Sequence, residues 1–254
     1  MQRIIAIVNQ KGGVSKTTTA VNVGAGLLSL NRKVLIVDLD PQSHCSYSLG
    51  VPVHEIKNTV YEMLKNKVNI NNVIFSRGEL KVIPSSLDMS AADLEFSNIP
   101  GREFLLKEAL LTLSEPFDYI LLDCPPSLSL ITLNALTSAT DIYIPLQTEV
   151  LALQGFNKLL ETIELVKQRL NNNLLITGIV CTRYSANKKL NNEVIKSVIE
   201  QFGDIVFKTY IRENIPIAEA PSYGKTIFEY KPDSNGAKDY LNLCKEIITR
   251  EVQQ

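Results

Sequence analysis

The chain has 254 residues, of which 45% are hydrophobic, which is enough for one sizeable core, and we interpret residues 1–254 as a single domain. The formal net charge is −1, so a contact with nucleic acid has to come from a local basic patch because there is no global positive field. The four cysteines form no C-x-x-C pair, and no apolar run reaches the ~18 residues of a membrane span, which argues against a metal–thiolate site and a transmembrane protein.

The first predicted strand, Ile4–Val8, leads into a glycine-containing loop that opens a predicted helix. The loop reads Lys11-Gly12-Gly13-Val14-Ser15-Lys16-Thr17-Thr18. Several backbone N–H groups of such a loop point at one place, and the helix behind it adds its positive N-terminal end, so a polyphosphate is the expected ligand. Lys16 would then reach the β- and γ-phosphates, and the Thr17 hydroxyl would bind Mg²⁺. The alternative is a simple glycine turn with solvated lysines.

The second predicted strand, Val34–Val37, is followed by two acids at alternate positions, Asp38 and Asp40. Alternate side chains of an extended chain point the same way, so both carboxylates could face the phosphates. We assign Asp40 to the attacking water, which in phosphoryl transfer needs placement and charge, and both acids are candidate supports for Mg²⁺. An ordinary Asp-Pro turn is the alternative interpretation.

The middle of the chain is less regular until a third apolar strand, Tyr119–Leu122, which ends at Asp123. An acid directly after a buried strand can hold Mg²⁺ through water, so Asp123 is a further metal candidate. Before this strand we predict a short helix at Thr59–Lys67 and an edge strand at Leu80–Pro84.

Several of these segments resemble one known family. The sequence K-G-G-x-x-K-T-T, with Lys11 ahead of the glycine pair, resembles the deviant Walker A box of the ParA/MinD family of P-loop ATPases. The segments that begin at Asp38 and Asp123 are similar to its switch I and switch II boxes. Pro145–Gly155 and Glu219–Ser222 are also close to the family pattern. The likeness covers Ile4 to about Ile248 and is greatest to the small chromosome- and plasmid-partitioning ATPases.

The resemblance implies an ATPase that binds ATP and Mg²⁺ and forms a homodimer with ATP. It implies that Lys11 crosses the dimer interface to the partner's nucleotide, and that Lys11, Lys16 and Asp40 serve catalysis. It also implies that Arg212 and Asn214 lie near the adenine. The nucleotide contacts expected on these grounds are Lys11, Gly12, Gly13, Val14, Ser15, Lys16, Thr17, Thr18, Asp123, Arg212 and Asn214.

The same resemblance implies non-specific DNA binding by the dimer, stimulation by a ParB-type protein and association with the nucleoid. The most concentrated basic region after the loop surrounds the predicted helix Asn191–Phe202. Contacts with phosphates would carry no sequence information. The candidate DNA-binding residues are Lys188, Lys189, Lys196, Lys208, Arg212 and Lys225. Solvated lysines on a helix face are the alternative, and Glu213 and Pro216 stand where relatives often have arginines.

Ser15 departs from the ordinary P-loop pattern, which has a glycine at this point. That glycine commonly has a positive φ, which costs a residue with a Cβ on the order of 1–2 kcal/mol. We therefore expect Ser15 either to store strain or to occupy a slightly altered loop, with the phosphate cradle preserved.

The alternation of strands and helices predicts an α/β fold with a doubly wound, mainly parallel sheet, helices on both faces and the nucleotide at the carboxyl ends of the strands. We expect a cytoplasmic protein without a membrane partner. Three alternatives stay open: a MinD-like membrane-associated positioning ATPase, an ATP-dependent metal-cluster carrier, and a nucleotide-binding regulator that does not hydrolyse ATP. The balanced charges of the last predicted helix, Gly236–Val252, argue against the first.

Overall fold

A computed structural model describes residues 2–149 and 156–251. Its strands are β1 (Arg3–Ile7), β2 (Val34–Asp38), β3 (Phe75–Arg77), β4 (Leu80–Ile83), β5 (Tyr119–Asp123), β6 (Asp141–Gln147) and β7 (Leu175–Thr182). Its α-helices are α1 (Lys16–Ser29), α2 (His44–Ser48), α3 (Val60–Leu64), α4 (Ala92–Glu95), α5 (Leu105–Leu110), α6 (Leu130–Ser138), α7 (Phe156–Arg169), α8 (Lys189–Phe202), α9 (Ile215–Glu219), α10 (Ile227–Tyr230) and α11 (Asn235–Glu251). Short 3₁₀ helices span Ile70–Asn72, Leu87–Ala91, Arg102–Phe104, Gly203–Ile205 and Ala220–Tyr223.

The strands form one seven-stranded sheet in the order β3-β4-β2-β5-β1-β6-β7. Every neighbouring pair is parallel except β3 and β4. The predicted mainly parallel, doubly wound sheet is therefore confirmed. The prediction of an edge strand at Leu80–Pro84 is wrong in one respect, since β3 pairs with the outer side of β4. The three residues of β3 are too few to carry a recognisable pattern.

Two apolar layers cover the faces of the sheet, because its central strands are buried on both sides. One layer packs α1 and α11 against the sheet through residues such as Val23 and Leu243. The opposite layer is formed with α5, α6, α7 and α8 through residues such as Leu106, Ala135 and Ile195. These layers hold the strands in register, so that the carboxyl ends of β1, β2 and β5 meet at one edge.

Candidate nucleotide site

The loop between β1 and α1 has a backbone conformation that an ordinary L-residue rarely adopts. Gly13 has φ 75° and Ser15 has φ 74°, so of the two alternatives left open by the sequence the serine has the positive φ that a glycine commonly has here. The Ser15 carbonyl accepts the first hydrogen bond of α1 from the N–H of Thr19 at 2.9 Å. Lys16 is buried, and its ammonium donates to the Lys11 carbonyl at 3.2 Å. The ammonium thus folds back along the loop, and burial lowers its pKa although Asp123 and other nearby acidic groups oppose the shift.

Asp38 and Asp123 lie side by side in the register of β2 and β5, and both are completely buried. Asp38 already has partners: it accepts from the backbone N–H of Ser46 at 2.8 Å and from the Ser46 hydroxyl at 2.6 Å. It also accepts from the backbone N–H of Asp40 at 3.2 Å. Burial raises its pKa to about 6 despite these bonds. This geometry orients α2 and Asp40, and it leaves Asp38 a supporting position behind the site.

Asp123 is different, because both of its carboxylate oxygens are buried without a hydrogen bond of normal geometry. Burial and then the charge of Asp38 raise its pKa well above the usual range, while the Thr17 hydroxyl and Lys16 oppose the shift. A buried carboxylate without a partner is costly, so the position favours a cation. Mg²⁺ commonly combines one or two carboxylates with phosphate oxygens and water. Thr17 and Asp123 therefore fit a magnesium ion that also holds a nucleotide.

The described residues contain no group of three or more His, Cys, Asp or Glu side chains that could bind a metal by themselves. The fit is thus to an ion that shares its ligands with phosphate. All four cysteines, Cys45, Cys124, Cys181 and Cys244, are separate buried thiols.

Two neighbouring cavities open beside the loop and share the wall formed by Gly13, Ser15 and Thr18. The first has a volume of about 650 Å³ and is lined by Gly12, Gly13, Ser15, Lys16, Thr17, Thr18, Asp40, Pro41, Gln42, His44, Ser48, Pro125, Pro126 and Ser127. Most of the predicted phosphate-binding residues and Asp40 are therefore brought together here. Val14 is instead buried behind the wall, where its carbonyl accepts from the Thr182 hydroxyl at 3.2 Å.

The second cavity has a volume of about 480 Å³ and includes Arg212 and Asn214 in its wall. The Arg212 guanidinium is bonded to the carboxylate of Asp239, at 2.9 Å from Nε and 2.6 Å from Nη2. The side-chain oxygen of Asn214 is buried without a hydrogen bond of normal geometry and does not face the open cavity. The volume of the cavity and its mixed polar and apolar lining are suited to a polar ligand such as a nucleoside.

Lys11 lies at the exposed edge of the loop. Its backbone N–H donates to the side chain of Asn9 at 3.0 Å, which fixes the chain. Its ammonium is 3.5 Å from a carboxylate oxygen of Glu149, just after β6, and the two side chains are 36% and 54% exposed. An exposed pair of this kind contributes only about 0–1 kcal/mol, so Lys11 can leave Glu149 at little cost.

The basic candidates do not form one continuous patch. Lys188, Lys189 and Lys196 lie at the start and along the exposed side of α8. Lys208 lines a separate cavity with the first residues of β7, towards the opposite end of that strand. Lys225 follows Gly224, whose carbonyl accepts from Arg77 of β3 at 2.9 Å.

Acidic neighbours reduce the positive charge around α8. Glu213 lies 3.1 Å from the Lys188 ammonium and 3.6 Å from the guanidinium of Arg183. Lys196 is paired with Glu200 at 3.8 Å. Arg183 lines the second cavity and was not predicted as a site residue, although a basic residue directly after an apolar strand is a usable signal.

The family comparisons agree with this geometry. A family model described as an AAA domain matches residues 2–176, and one described as 4Fe-4S iron sulfur cluster binding proteins of the NifH/frxC family matches residues 109–253. The sporulation initiation inhibitor protein Soj of Bacillus subtilis is 43% identical over 97% of this chain and 98% of its own. The chromosome-partitioning ATPase Soj of Treponema pallidum is 43% identical over the full length of both chains. The chain belongs to the Soj/ParA family of partitioning ATPases.

Solved structures match over nearly the whole chain. A cobyrinic acid a,c-diamide synthase from Mycobacterium smegmatis with bound ADP and magnesium has a TM-score of 0.86 at 34% identity, over 98% of this chain and 94% of that one. The cell division ATPase MinD of Pyrococcus furiosus has a TM-score of 0.80 at 29% identity, over 98% and 99%. The predictions of a P-loop fold, of ATPase activity and of Mg²⁺-ATP as the cofactor are confirmed.

The strain at Ser15 predicts that Ser15→Gly stabilises this Soj/ParA ATPase. Removing the Cβ at φ 74° relieves about 1–2 kcal/mol, and the freer unfolded chain offsets about 0.4–1 kcal/mol. The net stabilisation of roughly 1 kcal/mol corresponds to a rise of about 2–4 °C in Tm, measured by thermal unfolding without nucleotide.

Asn31→Gly is the matched control, because Asn31 has φ 61° in the turn after α1, away from the loop. Asn31→Gly should raise Tm by less than Ser15→Gly, because asparagine adopts a positive φ more readily than serine. An unchanged or lower Tm for Ser15→Gly would show that the loop holds serine without strain.

Proposed function

We propose that this ATPase dimerises with Mg²⁺-ATP, binds DNA non-specifically as the dimer, and acts in chromosome or plasmid partitioning with a ParB-type partner that stimulates hydrolysis. The observation that carries the proposal is the position of Lys11. Its ammonium lies outside the loop in a weak, exposed pair with Glu149, from which it is free to reach a nucleotide on a second subunit. The protein would then be cytoplasmic and associated with the nucleoid. The names of the Soj and ParA relatives support a role in partitioning.

In the proposed reaction a water molecule attacks the γ-phosphorus, and most of the catalysis is placement and charge. Asp40 lies in the wall of the phosphate cavity, where one of its oxygens accepts from the backbone N–H of Gln42 at 2.9 Å. That bond fixes the carboxylate and leaves the other oxygen to orient the water. Lys16 neutralises charge on the β- and γ-phosphates, while Thr17 and Asp123 would hold Mg²⁺ with Asp38 behind them. The metal supplies further neutralisation of the phosphate oxygens.

The DNA-binding surface in this proposal is centred on the first turn of α8. Lys188 and Lys189 lie there with exposed side chains, and the N-terminal end of a helix favours an anionic phosphate. Glu213 weakens the positive field of Lys188. We therefore expect a single subunit to bind DNA with modest affinity, and two subunits in a dimer to be needed for stable binding. Lys196, Lys208, Arg212 and Lys225 stay candidates of lower weight, because they are paired or lie on other surfaces.

The MinD-like alternative has support from the structural similarity to MinD. In the described part of the chain, none of the helices is long and apolar enough to cross a bilayer. The last turns of α11 are engaged with the protein itself, since Arg250 donates to the Val206 carbonyl and to Glu246, both at 2.8 Å. We therefore favour DNA over a lipid surface.

Asp40→Ala should bind ATP normally and accumulate as a stable dimer, because Asp40 acts on the water and not on the ground-state phosphates. Sedimentation velocity with Mg²⁺-ATP, together with a coupled ATPase assay, would measure both effects. Asp40→Asn is the matched variant, since it keeps an oxygen for the Gln42 N–H but removes the charge. A variant that stays monomeric with ATP would remove Asp40 from the hydrolytic step.

Lys11→Ala should prevent ATP-dependent dimerisation, while the ATP affinity of the monomer should stay within about twofold of the wild-type value. The reason is that the ammonium makes no contact with its own phosphate cavity in the proposed scheme. Lys33→Ala, at the opposite end of the sheet, serves as the charge-matched control. Normal dimerisation of Lys11→Ala would contradict the cross-subunit role.

The double variant Lys188→Glu/Lys189→Glu should weaken binding of the ATP dimer to DNA of any sequence. The slope of log K against log salt should fall by about 0.9 for each DNA phosphate that the variant no longer neutralises. Fluorescence anisotropy with two unrelated duplexes would measure the slope, with Lys33→Glu, at the opposite end of the sheet, as the control. An unchanged slope would show that the first turn of α8 is only a solvated face, and binding to anionic vesicles instead would favour the MinD-like alternative.

A further inference from the structure

A buried chain of hydrogen bonds connects the nucleotide loop with α8. It begins at the Val14 carbonyl, which accepts from the hydroxyl of Thr182 at 3.2 Å. Thr182 is the last residue of β7 and is completely buried. The back of the phosphate loop is therefore attached by a side chain to the strand that precedes α8.

The chain continues through Thr148, which is also completely buried. Its backbone N–H donates to the Thr182 carbonyl at 3.2 Å, and its hydroxyl lies 3.3 Å from the Arg183 carbonyl. The Thr148 carbonyl in turn accepts from the side-chain amide of Asn191, in the first turn of α8. Thr148 is adjacent to Glu149, the partner of Lys11, so this segment is connected to the nucleotide loop directly through Glu149 and indirectly through Thr182.

The Asn191 side chain is only 4% exposed, and both of its polar atoms are engaged. While its amide donates to Thr148, its oxygen accepts from the backbone N–H of Ser185 at 2.8 Å. Buried polar networks that are fully satisfied fix one arrangement, because each alternative leaves an unpaired group. Asn191 therefore fixes where the first turn of α8, with Lys188 and Lys189, lies relative to the loop.

We propose that Thr182 and Asn191 are positioning residues that couple nucleotide occupancy to DNA affinity through this buried hydrogen-bond chain. Phosphates bound at the loop bias its backbone, including the Val14 peptide, and the chain carries that bias to the basic turn of α8. The inference rests on the proposed DNA-binding function. The proposed function concerns the contact with DNA. The inference concerns the coupling between nucleotide and DNA, which it assigns to two residues that touch neither ligand.

Two near-isosteric variants break the chain at separate links. Thr182→Val removes the hydroxyl that bonds Val14, and Thr182→Ser is its conservative control because it keeps a donor. Asn191→Asp keeps the oxygen that accepts from Ser185 but removes the amide donor to Thr148. It also adds a negative charge near the basic turn, so Asn192→Asp, on the exposed neighbouring residue, is the charge-matched control.

The experiment measures DNA affinity with ATP and without nucleotide, and ATP affinity with and without DNA, for the full chain. The ratio of DNA affinity with ATP to DNA affinity without nucleotide measures the coupling in each protein. We expect the ratio to fall at least fivefold in Thr182→Val and Asn191→Asp, with ATP affinity in the absence of DNA within about twofold of wild type. Thr182→Ser and Asn192→Asp should keep the wild-type ratio, and the dimer fraction with ATP should be the same in all proteins.

Wild-type ratios in both Thr182→Val and Asn191→Asp would overturn the proposal. A second readout does not depend on DNA: amide hydrogen exchange in the first turn of α8 should slow when ATP binds to wild type and should not respond in Asn191→Asp. If wild type fails to bind DNA, the proposed function fails, while this exchange measurement still decides whether the chain transmits the nucleotide signal. An equal slowing of amide exchange on ATP binding in wild type and Asn191→Asp would refute the proposal.

Discussion

The nucleotide site depends on one electrostatic constraint, the burial of two carboxylates side by side at the ends of β2 and β5. Burial is the main cause that raises the pKa of both acids, and a neighbouring carboxylate raises each further: Asp40 for Asp38, and Asp38 for Asp123. The two acids differ in their partners: three hydrogen bonds satisfy Asp38, whereas Asp123 has none of normal geometry. Lys16 meets part of the residual demand for positive charge. A magnesium ion that shares its ligands with a bound nucleotide would fit the rest, so we propose that nucleotide binding offsets the cost of burying Asp123.

Local sequence patterns predicted where the residues of this part of the site lie. Apolar strands that end in Asp38 and Asp123 necessarily place these acids at the loop edge, because parallel strands share one carboxyl edge. The loop itself is contiguous in sequence, so its spacing was enough to predict that Lys16 and Thr17 lie together at the first cavity. The sequence left open whether Ser15 is strained or the loop is altered, and the structure shows the positive φ. What the sequence could not distinguish was that Asp38 is occupied by Ser46, because that bond depends on how α2 folds back.

Features made of distant segments were harder to predict. The chain from Val14 through Thr182 and Thr148 to Asn191 joins residues that are far apart in sequence, and each residue is unremarkable in its own segment. The basic candidates show the reverse problem, since residues close in sequence are separated in space when the chain crosses from one end of the sheet to the other. Lys208 lies near the start of β7, although Lys188 lies beyond its end. Counting charges along the chain therefore overstated the size of a continuous basic surface.

The acids and the wall of the second cavity are also held together by backbone packing. Gly50, which lies just after α2, packs against Gly224, which lies just after the 3₁₀ helix Ala220–Tyr223. A Cβ built on Gly224 would come within 2.8 Å of the Gly50 Cα, and both residues have positive φ. Side chains at either position would separate the two segments. Because α2 is bonded to Asp38 and the segment before Gly224 carries Asn214, this close contact fixes the spacing between the walls of the two cavities.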